Sequence, residues 1–401
     1  MEYTIHSFLE HMKTYSKDTK GVTRLAFTRE SQEGWAYICQ VMEELGLTVY
    51  TDAYGAILGY MEGKRKEGVI IGSHYDTVIH GGAYDGIAGV AIGLDVAASY
   101  RKRQEIPPYS LYILATNNEE GVTLSHGLMC SKNICDVLDA ETYIDSVTGK
   151  TLSDCLAENW YIKEGKAPDD IKLTTILKHG VRYIEPHIEQ GGILWENQEQ
   201  IGIVKHIVGI TRLYITLHGT SNHAGTTPMN LRKDPLCAGA RIIGSIPEVA
   251  AKYQDAAATV GQIFAEPNAY NVIPSKVEFS VDIRSASNED RTLMAEEIKQ
   301  MVVQEAPAAY EIGYRENETA IPMNPQMAAD MERICKKRGL SYRVMNSGAG
   351  HDAQIFARFI DTVMLFVPSR DGISHSPEEY TPTEDMELAA RTIEEYLEGS
   401  F

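Results

Sequence analysis

Residues 69–78, VIIGSHYDTV, contain the strand that decides how this chain is expected to fold. The run Val69-Ile70-Ile71 is β-branched throughout, which is typical of a strand buried on both faces of a sheet. A helix rich in alanine and aliphatic residues is predicted from Ile87 to Tyr100, and a second buried strand from Ser110 to Thr116. Strands that alternate with helices indicate an α/β fold, with a mostly parallel sheet and helices on both of its faces.

Polar side chains follow this strand and three others, at the point where each strand ends. The other strands are predicted at 110–116, 181–184 and 363–367. Because the carboxyl ends of parallel strands meet at one edge of a sheet, we expect these side chains to converge there and to form a ligand site. In chain order they are His74, Asp76, Glu119, Glu120, Glu185, His187, Glu189, Gln190 and His375.

A second domain is predicted as an insertion at 207–315. Alternating apolar and polar residues begin it near Leu213 and indicate a strand with one buried face. The pattern indicates an α+β domain with an antiparallel sheet, and the flanking segments 1–206 and 316–401 are expected to form the α/β domain together. After the first strand, the predicted elements are a helix, two strands and a helix, at 234–245, 259–264, 276–284 and 289–304.

Composition argues against several classes of function. The chain has 401 residues, and its 56 acidic and 37 basic residues give a net charge of −19, which disfavours nucleic acids and anionic membranes as partners. Neither a signal sequence nor an apolar run of about 18 residues is visible, so we expect no secretion and no membrane span. The six cysteines are scattered without a CxxC pair, which is typical of a reduced, cytoplasmic protein.

Five residues offer nitrogen or oxygen ligands without any thiolate, a set that suits Zn²⁺, Mn²⁺ or Co²⁺. Asp85 lies in the stretch GGAYDGIAG, 81–89, where it can either bridge two cations or cap the helix that follows. Glu119 and Glu120 are adjacent, so one can bind a cation while the other transfers protons; a solvated acidic turn is the alternative. The five candidate ligands are His74, Asp85, Glu120, His187 and His375.

Motifs of other enzyme classes are missing from the sequence. It contains no GxSxG elbow, no HExxH helix, no GxGxxG and no phosphate loop. None of the cysteines stands in a setting that would mark an activated thiolate. Metal-dependent chemistry is therefore favoured over nucleophilic or nucleotide-dependent chemistry.

Seven ordered blocks, spread over nearly the whole chain, resemble the amidase/carbamoylase branch of the dinuclear zinc metallopeptidase superfamily M20. This branch contains allantoate amidohydrolases, N-carbamoyl-L-amino-acid hydrolases and ureidoglycolate amidohydrolases. The resemblance implies a zinc-exopeptidase-like catalytic domain and an inserted lid and dimerisation domain, and hence a homodimer. The blocks are GSHYDTV with GGAYDGIAG, NNEEG, HIEQG, HGTSNHAGTTPM, NAYNVIPSKVEFSVDIRS, SGAGHDAQ and GISHSPEEYT.

The same resemblance assigns roles to residues of the predicted catalytic domain. It implies that His74, Asp85 and His187 hold one metal ion, and that Asp85, Glu120 and His375 hold a second one, with Asp85 as the bridge. Glu119 would be the general base that takes a proton from the water shared by the two ions and so leaves a hydroxide to attack the substrate.

Further roles implied by the resemblance concern orientation and substrate binding. Asp76 would orient His74. His223, from the inserted domain, would stabilise the transition state in the active site of the partner subunit. Gln190, Asn271 and Arg284 would bind the substrate and its carboxylate, for which a guanidinium offers a matching planar fork.

The predicted function is hydrolysis of a linear ureido or amide C–N bond in a small carboxylate-bearing compound, such as allantoate or an N-carbamoyl-L-amino acid. Two divalent ions per subunit are expected, either Zn²⁺ or Mn²⁺, with Co²⁺ as a further choice. An aminoacylase or dipeptidase on the same scaffold is one alternative, and a catalytically silent binding protein is another. The segment GVTLSHG after Glu120 departs from the family pattern, which leaves the substrate open.

Overall fold

Two units make up the chain in the computed structural model, which describes residues 3–163 and 165–399, apart from the side chains of 315–317. The large unit comprises Met1–Lys205 and Pro322–Phe401, and the inserted unit comprises His206–Ile321. The sequence prediction placed the insertion at 207–315.

The N-terminal part of the large unit alternates strands and helices. Helix α2 begins after Thr28, whose hydroxyl accepts a hydrogen bond from the Ser31 N–H group, and it buries Trp35, Ile38 and Met42 on one face. The elements in order are α1 (Ile5–Met12), α2 (Arg29–Glu44), β1 (Thr48–Thr51), β2 (Ile57–Met61), β3 (Arg65–His74), α3 (Ile87–Arg103), β4 (Tyr109–Thr116), α4 (Met129–Ile134), a 3₁₀ turn (Ala140–Thr142), α5 (Leu152–Ala157), β5 (Gly180–Ile188), α6 (Ile193–Asn197) and β6 (Ile201–Ile207).

The inserted unit is an antiparallel sheet with two long helices against it. Its strands β7 (Gly209–His218) and β11 (Lys276–Ser285) alternate buried and half-buried positions, so that one face of the sheet packs on the helices. The other elements are β8 (Asn222–His223), a 3₁₀ turn (Met229–Leu231), α7 (Pro235–Ala250), β9 (Ala257–Glu266), β10 (Val272–Ile273), α8 (Asn288–Glu305) and β12 (Ala309–Glu318), and the strand order is β12-β7-β11-β9.

Strand β12 was not predicted from the sequence. It pairs with β7 at the edge of the sheet, and its side chains at Tyr310 and Tyr314 are exposed. A strand with so little buried surface carries a weak apolar alternation, which explains why its pattern did not stand out.

The C-terminal part of the chain returns to the large unit and completes its sheet. Strand β13 pairs with β6, and the Met323 N–H group donates to the Lys205 carbonyl at 2.9 Å, so the chain leaves the large sheet and re-enters it at neighbouring positions. The elements are β13 (Ile321–Pro322), α9 (Pro325–Arg338), β14 (Tyr342–Ser347), α10 (Ala353–Phe356), β15 (Asp361–Val367), a 3₁₀ turn (Arg370–Gly372) and α11 (Thr383–Glu398).

The centre of the large sheet is parallel and is buried on both faces. The strand order is β1-β2-β4-β3-β5-β15-β6-β13, with β4, β3, β5 and β15 parallel and antiparallel strands on either side. Val69, Ile70 and Ile71 point alternately to opposite faces, and each has 0% exposure, so both faces are covered. This confirms the predicted α/β fold with a mostly parallel sheet.

Within the described residues, no helix is both long enough and apolar enough to cross a lipid bilayer.

Candidate metal centre

The carboxyl ends of the central strands meet at one edge of the large sheet and bring the five candidate ligands together. His74 is the last residue of β3 and pairs with Thr116 at the end of β4, while His187 on β5 pairs with Phe366 on β15. Their ligand atoms form two groups, and within each group they lie no more than 4.8 Å apart. One group is His74, Asp85 and His187, and the other is Asp85, Glu120 and His375.

Asp85 belongs to both groups because its two oxygens face in different directions. Oδ1 lies 3.3 Å from Nε2 of His187 and 3.9 Å from Nε2 of His74. Oδ2 lies 2.9 Å from Nε2 of His375. This arrangement is the one that a carboxylate needs to bridge two cations.

The helix-capping alternative for Asp85 is wrong. The residue that caps α3 is Gly86, and no side chain caps this helix. Gly86 has a φ of +65°, and a Cβ atom at this position would lie 2.4 Å from ring atoms of His74. Glycine is therefore required where the Asp85 turn approaches the histidine.

Two of the candidate histidines are oriented by backbone carbonyls. Nδ1 of His74 lies 3.0 Å from the carbonyl oxygen of Asp76, and Nδ1 of His187 lies 2.9 Å from that of Ile188. Because a carbonyl can only accept, each Nδ1 carries a proton and each Nε2 faces the ligand group. Although burial opposes it, the carboxylates of Glu119, Asp76 and Asp85 raise the pKa of His74 well above its usual range, so a cation that binds His74 must displace a proton from its Nε2. Burial also lowers the pKa of His187 to about 4, which keeps its imidazole neutral.

Two buried carboxylate oxygens that accept no hydrogen bond indicate that the side chains of this site are suited to bind a cation. Oδ1 of Asp85 and Oε1 of Glu120 are buried and accept no hydrogen bond from any described residue. Carboxylate oxygens left without a partner in the interior are strongly unfavourable, and a divalent ion beside them would satisfy both. Together with the imidazole nitrogens they form a donor set suited to Zn²⁺ or Mn²⁺.

The acidic pair is not a solvated turn, because Glu119 and Glu120 have side-chain exposures of only 9% and 10%. Burial raises the pKa of Glu119 well above its usual range, and burial together with Asp85 raises the pKa of Glu120 to about 7. A hydrogen bond to Asp85 raises the pKa of His375 to about 9, so a cation that binds there must displace a proton.

Asp76 supports the acidic pair more directly than it supports His74. Its carboxylate accepts hydrogen bonds from the N–H groups of Glu119, at 3.1 Å, and of Glu120, at 3.3 Å. Oδ1 lies 3.6 Å from Nδ1 of His74, further away than the Asp76 carbonyl. Asp76 therefore links the end of β3 to the loop after β4.

Gln190 contacts candidate ligands. Its Nε2 donates to Oδ2 of Asp85 at 3.0 Å and lies 3.3 Å from Nε2 of His375. Its backbone has a φ of +58°, and its N–H group donates to Oγ of Ser369 at 3.0 Å. The side chain predicted to bind substrate thus lies directly at the second ligand group.

The inserted unit places His223 and Asn271 side by side. Val272 pairs with His223 in the short ladder between β8 and β10, and the Ala224 N–H group donates to the Asn271 carbonyl at 3.0 Å. The His223 side chain is exposed, and its Nδ1 accepts hydrogen bonds from the Gly225 N–H group, at 3.0 Å, and from the Thr226 N–H group, at 3.2 Å. A neutral His223 therefore carries its proton on Nε2, where it can donate to a ligand.

The side chain of Arg284 forms an ion pair with Asp282, a carboxylate on the same strand. Its Nε donates to Oδ1 of Asp282 at 2.7 Å, and Arg212 donates to Oδ2 of the same residue at 2.9 Å. A substrate carboxylate that binds Arg284 must share the guanidinium with Asp282, or displace it.

Four buried polar residues near the candidate ligands were given no individual role by the sequence, although Glu185 was expected at this edge of the sheet. The ring of His351 lies 4.4 Å from that of His187, and Oγ of Ser73 donates to Glu185 at 2.9 Å. Glu379 accepts a hydrogen bond from the Asp85 N–H group at 3.0 Å. His351 and Glu379 belong to the blocks SGAGHDAQ and GISHSPEEYT, and Glu185 follows a predicted strand, but spacing alone does not show which ligand each residue supports.

The chain is similar to known proteins over almost its entire length. The profile of the peptidase family M20/M25/M40 matches residues 70–399. An N-carbamoyl-L-amino acid amidohydrolase from Geobacillus stearothermophilus is 34% identical over 383 residues, which cover 93% of this chain and 92% of the relative. An allantoate amidohydrolase from Escherichia coli (strain K12) is 34% identical over 403 residues, which cover 97% of this chain and 95% of the relative.

A solved structure shows the same fold. The crystal structure of an amidase of the hydantoinase/carbamoylase family from Burkholderia multivorans matches with a TM-score of 0.89 and 28% sequence identity. The match covers 98% of this chain and 96% of that one, so it includes both units.

Proposed function

Because this chain belongs to the peptidase family M20/M25/M40, we propose that it is a metal-dependent amidohydrolase that cleaves a linear C–N bond in a small carboxylate-bearing ureido or amide compound. The resemblance to the amidase/carbamoylase branch is confirmed by relatives that are named as amidohydrolases of N-carbamoyl-L-amino acids and of allantoate. These two kinds of compound are the substrates that we propose first.

The position of Asp85 between two ligand groups is the observation that carries the proposal. His74 and His187 would hold one divalent ion with Asp85, and Glu120 and His375 would hold a second. The ions would be Zn²⁺ or Mn²⁺, or Co²⁺. When bound, divalent ions in such a site lower the pKa of water and polarise the carbonyl oxygen of a substrate.

Glu119 is the residue we assign to proton transfer. It is buried at the site, its Oε2 lies 3.9 Å from Nε2 of His74, and it belongs to neither ligand group. Its carboxylate would take a proton from the attacking water and deliver it to the nitrogen that leaves as the C–N bond breaks. The raised pKa of Glu119 suits an acid that must hold this proton between the two steps.

The inserted unit would act as a lid and dimerisation domain of a homodimer. His223 would donate its Nε2 proton to the developing oxyanion in the active site of the partner subunit. Asn271 and Arg284 would bind the amide neighbourhood and the carboxylate of the substrate, with Gln190 contributing from the large unit. Asp282, which accepts a hydrogen bond from Arg284, would compete with the substrate carboxylate for the guanidinium.

Free cysteines support a cytoplasmic location. Cys39, Cys130, Cys135, Cys155 and Cys335 are buried and unpaired, and Cys237 is exposed and unpaired. Exposed thiols persist in reducing compartments. We therefore propose that the protein works in the cytoplasm.

Ammonia release from allantoate and from a panel of N-carbamoyl-L-amino acids tests the proposed function. The protein is first depleted of metal with a chelator and is then assayed with and without added Mn²⁺ or Zn²⁺. We expect turnover only with metal, and none in an Asp85→Asn variant. Faster turnover of dipeptides or N-acyl amino acids than of every ureido acid would instead support the aminoacylase or dipeptidase alternative, and the absence of all turnover would support a binding protein.

A further inference from the structure

Glu379 is a buried carboxylate at the metal centre that belongs to neither ligand group. Only 5% of its surface is exposed. Oε1 accepts hydrogen bonds from the N–H groups of Tyr84, at 2.9 Å, and of Asp85, at 3.0 Å. Oε2 accepts one from the hydroxyl of Ser374, at 3.0 Å.

These contacts connect two loops that are far apart in sequence. Tyr84 and Asp85 lie in the turn before α3, whereas Ser374 directly precedes His375 in the loop after β15. Oγ of Ser374 also lies 3.4 Å from Oδ2 of Asp85. Glu379 therefore holds the backbone of one candidate ligand and the residue beside another.

Because Gly82 has no side chain, the Glu379 carboxylate can occupy the space beside it. A Cβ atom at Gly82 would lie 2.0 Å from Oε1 of Glu379 and 2.1 Å from its Cδ. Such distances are far below van der Waals contact, so any larger residue at 82 must push the carboxylate away. The glycine-rich turn is thus shaped around Glu379 as well as around His74.

No cationic side chain among the described residues donates a hydrogen bond to Glu379, although His375 interacts with its charge through space. The groups that hydrogen-bond to it are two backbone N–H groups and one hydroxyl, all neutral. A second carboxylate, Asp85, lies directly beside it, and two buried like charges repel each other strongly. A divalent ion held by Asp85 would compensate the negative charges of both Asp85 and Glu379.

We propose that Glu379 is a positioning residue that sets the affinity of the metal centre for the cation held by Asp85, Glu120 and His375. The proposal rests on the metal-dependent function proposed above. Hydrogen bonds to a ligand fix its orientation, and the loss of such a partner usually weakens metal binding by about 10–100-fold.

Calorimetric titration of the metal-free, full-length protein with Mn²⁺ tests this assignment through binding alone. Glu379→Gln keeps an oxygen for the two N–H groups and removes the charge. We expect the wild type to bind two ions, and the variant to bind one of them about 10–100-fold more weakly. Glu378→Gln is the matched control, because the neighbouring Glu378 is exposed, and it should bind as the wild type does.

Gly82→Ala perturbs the same contact without changing Glu379. This variant should also bind one of the two Mn²⁺ ions more weakly than the wild type does, and the other one equally well. The melting temperature of each metal-free variant reports whether the fold is intact. For both variants, millimolar Mn²⁺ should restore the wild-type kcat with an unchanged KM for substrate. Wild-type affinity for both ions in folded Glu379→Gln would overturn this proposal alone, whereas a wild type that binds no Mn²⁺ would overturn the proposed function itself.

Discussion

The Nε2 atoms of His74 and His187 lie 3.5 Å apart, and the Nδ1 atom of each ring faces a backbone carbonyl. The two Nε2 atoms therefore face the same small volume, and Oδ1 of Asp85 is 3.3 Å from that of His187. A divalent cation in the volume between them would bind all three atoms and would replace the proton that the nearby carboxylates favour on His74.

Metal removal should therefore destabilise the fold. We expect the melting temperature of the chelator-treated protein to rise when Mn²⁺ or Zn²⁺ is added, because a ligand at about 100 times its Kd stabilises the native state by about 2.7 kcal/mol. His187→Asn should lose most of this rise. His80→Asn serves as the control, since His80 is exposed and has a φ of +54°, which asparagine tolerates. An equal rise in both variants would contradict the assignment of His187 as a ligand.

Replacement of Glu119 by glutamine should separate metal binding from turnover. The amide keeps the size of the side chain but cannot accept the proton from water, so kcat should fall by about 10²–10⁴. The number of bound ions, measured by elemental analysis, should stay unchanged, because Glu119 belongs to neither ligand group. The role proposed for Glu119 fails if the variant keeps most of its activity.

Mixed dimers test whether His223 acts in the neighbouring subunit. His223→Ala and Glu119→Gln are each expected to be nearly inactive, the first because loss of an oxyanion donor lowers kcat by about 10²–10³. When the two variants are dissociated and reassociated together, a hybrid dimer contains one site with both groups intact. Activity should then return to about a quarter of the wild-type value, given random pairing of subunits. A mixture that stays inactive although hybrids form would show that His223 does not act across the dimer.

Because Asp52 is buried, we expect the free energy of unfolding to depend on pH in a way that does not involve the metal centre. Burial raises the pKa of Asp52 to about 7, although Oδ1 accepts hydrogen bonds from the Tyr54 and Ala56 N–H groups. The folded state thus holds this proton more tightly than the unfolded state does, so stability falls as the pH rises from about 4 to about 7, by at most about 4 kcal/mol.

An Asp52→Asn variant should lack this loss. Urea unfolding at pH 5 and pH 7.5 should show a smaller decrease in the free energy of unfolding for the variant than for the wild type. Asp170→Asn, at an exposed position, is the control and should follow the wild type. Identical pH dependence of Asp52→Asn and the wild type would show that Asp52 is not protonated in the folded state.

The central sheet could be predicted because its strands are buried on both faces, which leaves a distinct pattern in the sequence. Val69, Ile70 and Ile71 form such a run, and the ligand-type side chains directly after it lie where parallel strands end. Strand β12 escaped prediction because it lies at the edge of its sheet, where Tyr310 and Tyr314 stay exposed and no strongly apolar face is needed. Packing, rather than local sequence, decides whether such a segment joins a sheet.

Four candidate ligands were predictable as residue types at strand ends, and Asp85 was predictable from the glycine-rich turn before a helix, whereas the residues that support them were not. The contacts of Asp76 with the Glu119 and Glu120 N–H groups, and of Glu379 with the Asp85 N–H group, join segments that no spacing rule connects. They depend on the loop conformations that the completed sheet imposes. Sequence patterns therefore indicate which atoms could bind a cation better than they indicate what holds those atoms in place.

The junction between Lys205 and Met323 has a consequence for how the protein can be dissected. One hydrogen bond of 2.9 Å joins the positions at which the chain leaves and re-enters the large sheet, so the 116 residues of His206–Ile321 interrupt the sheet without separating its strands. A short glycine-containing turn could close this gap. Such a trimmed protein would keep every candidate ligand, so cation binding could be measured in the absence of the inserted unit.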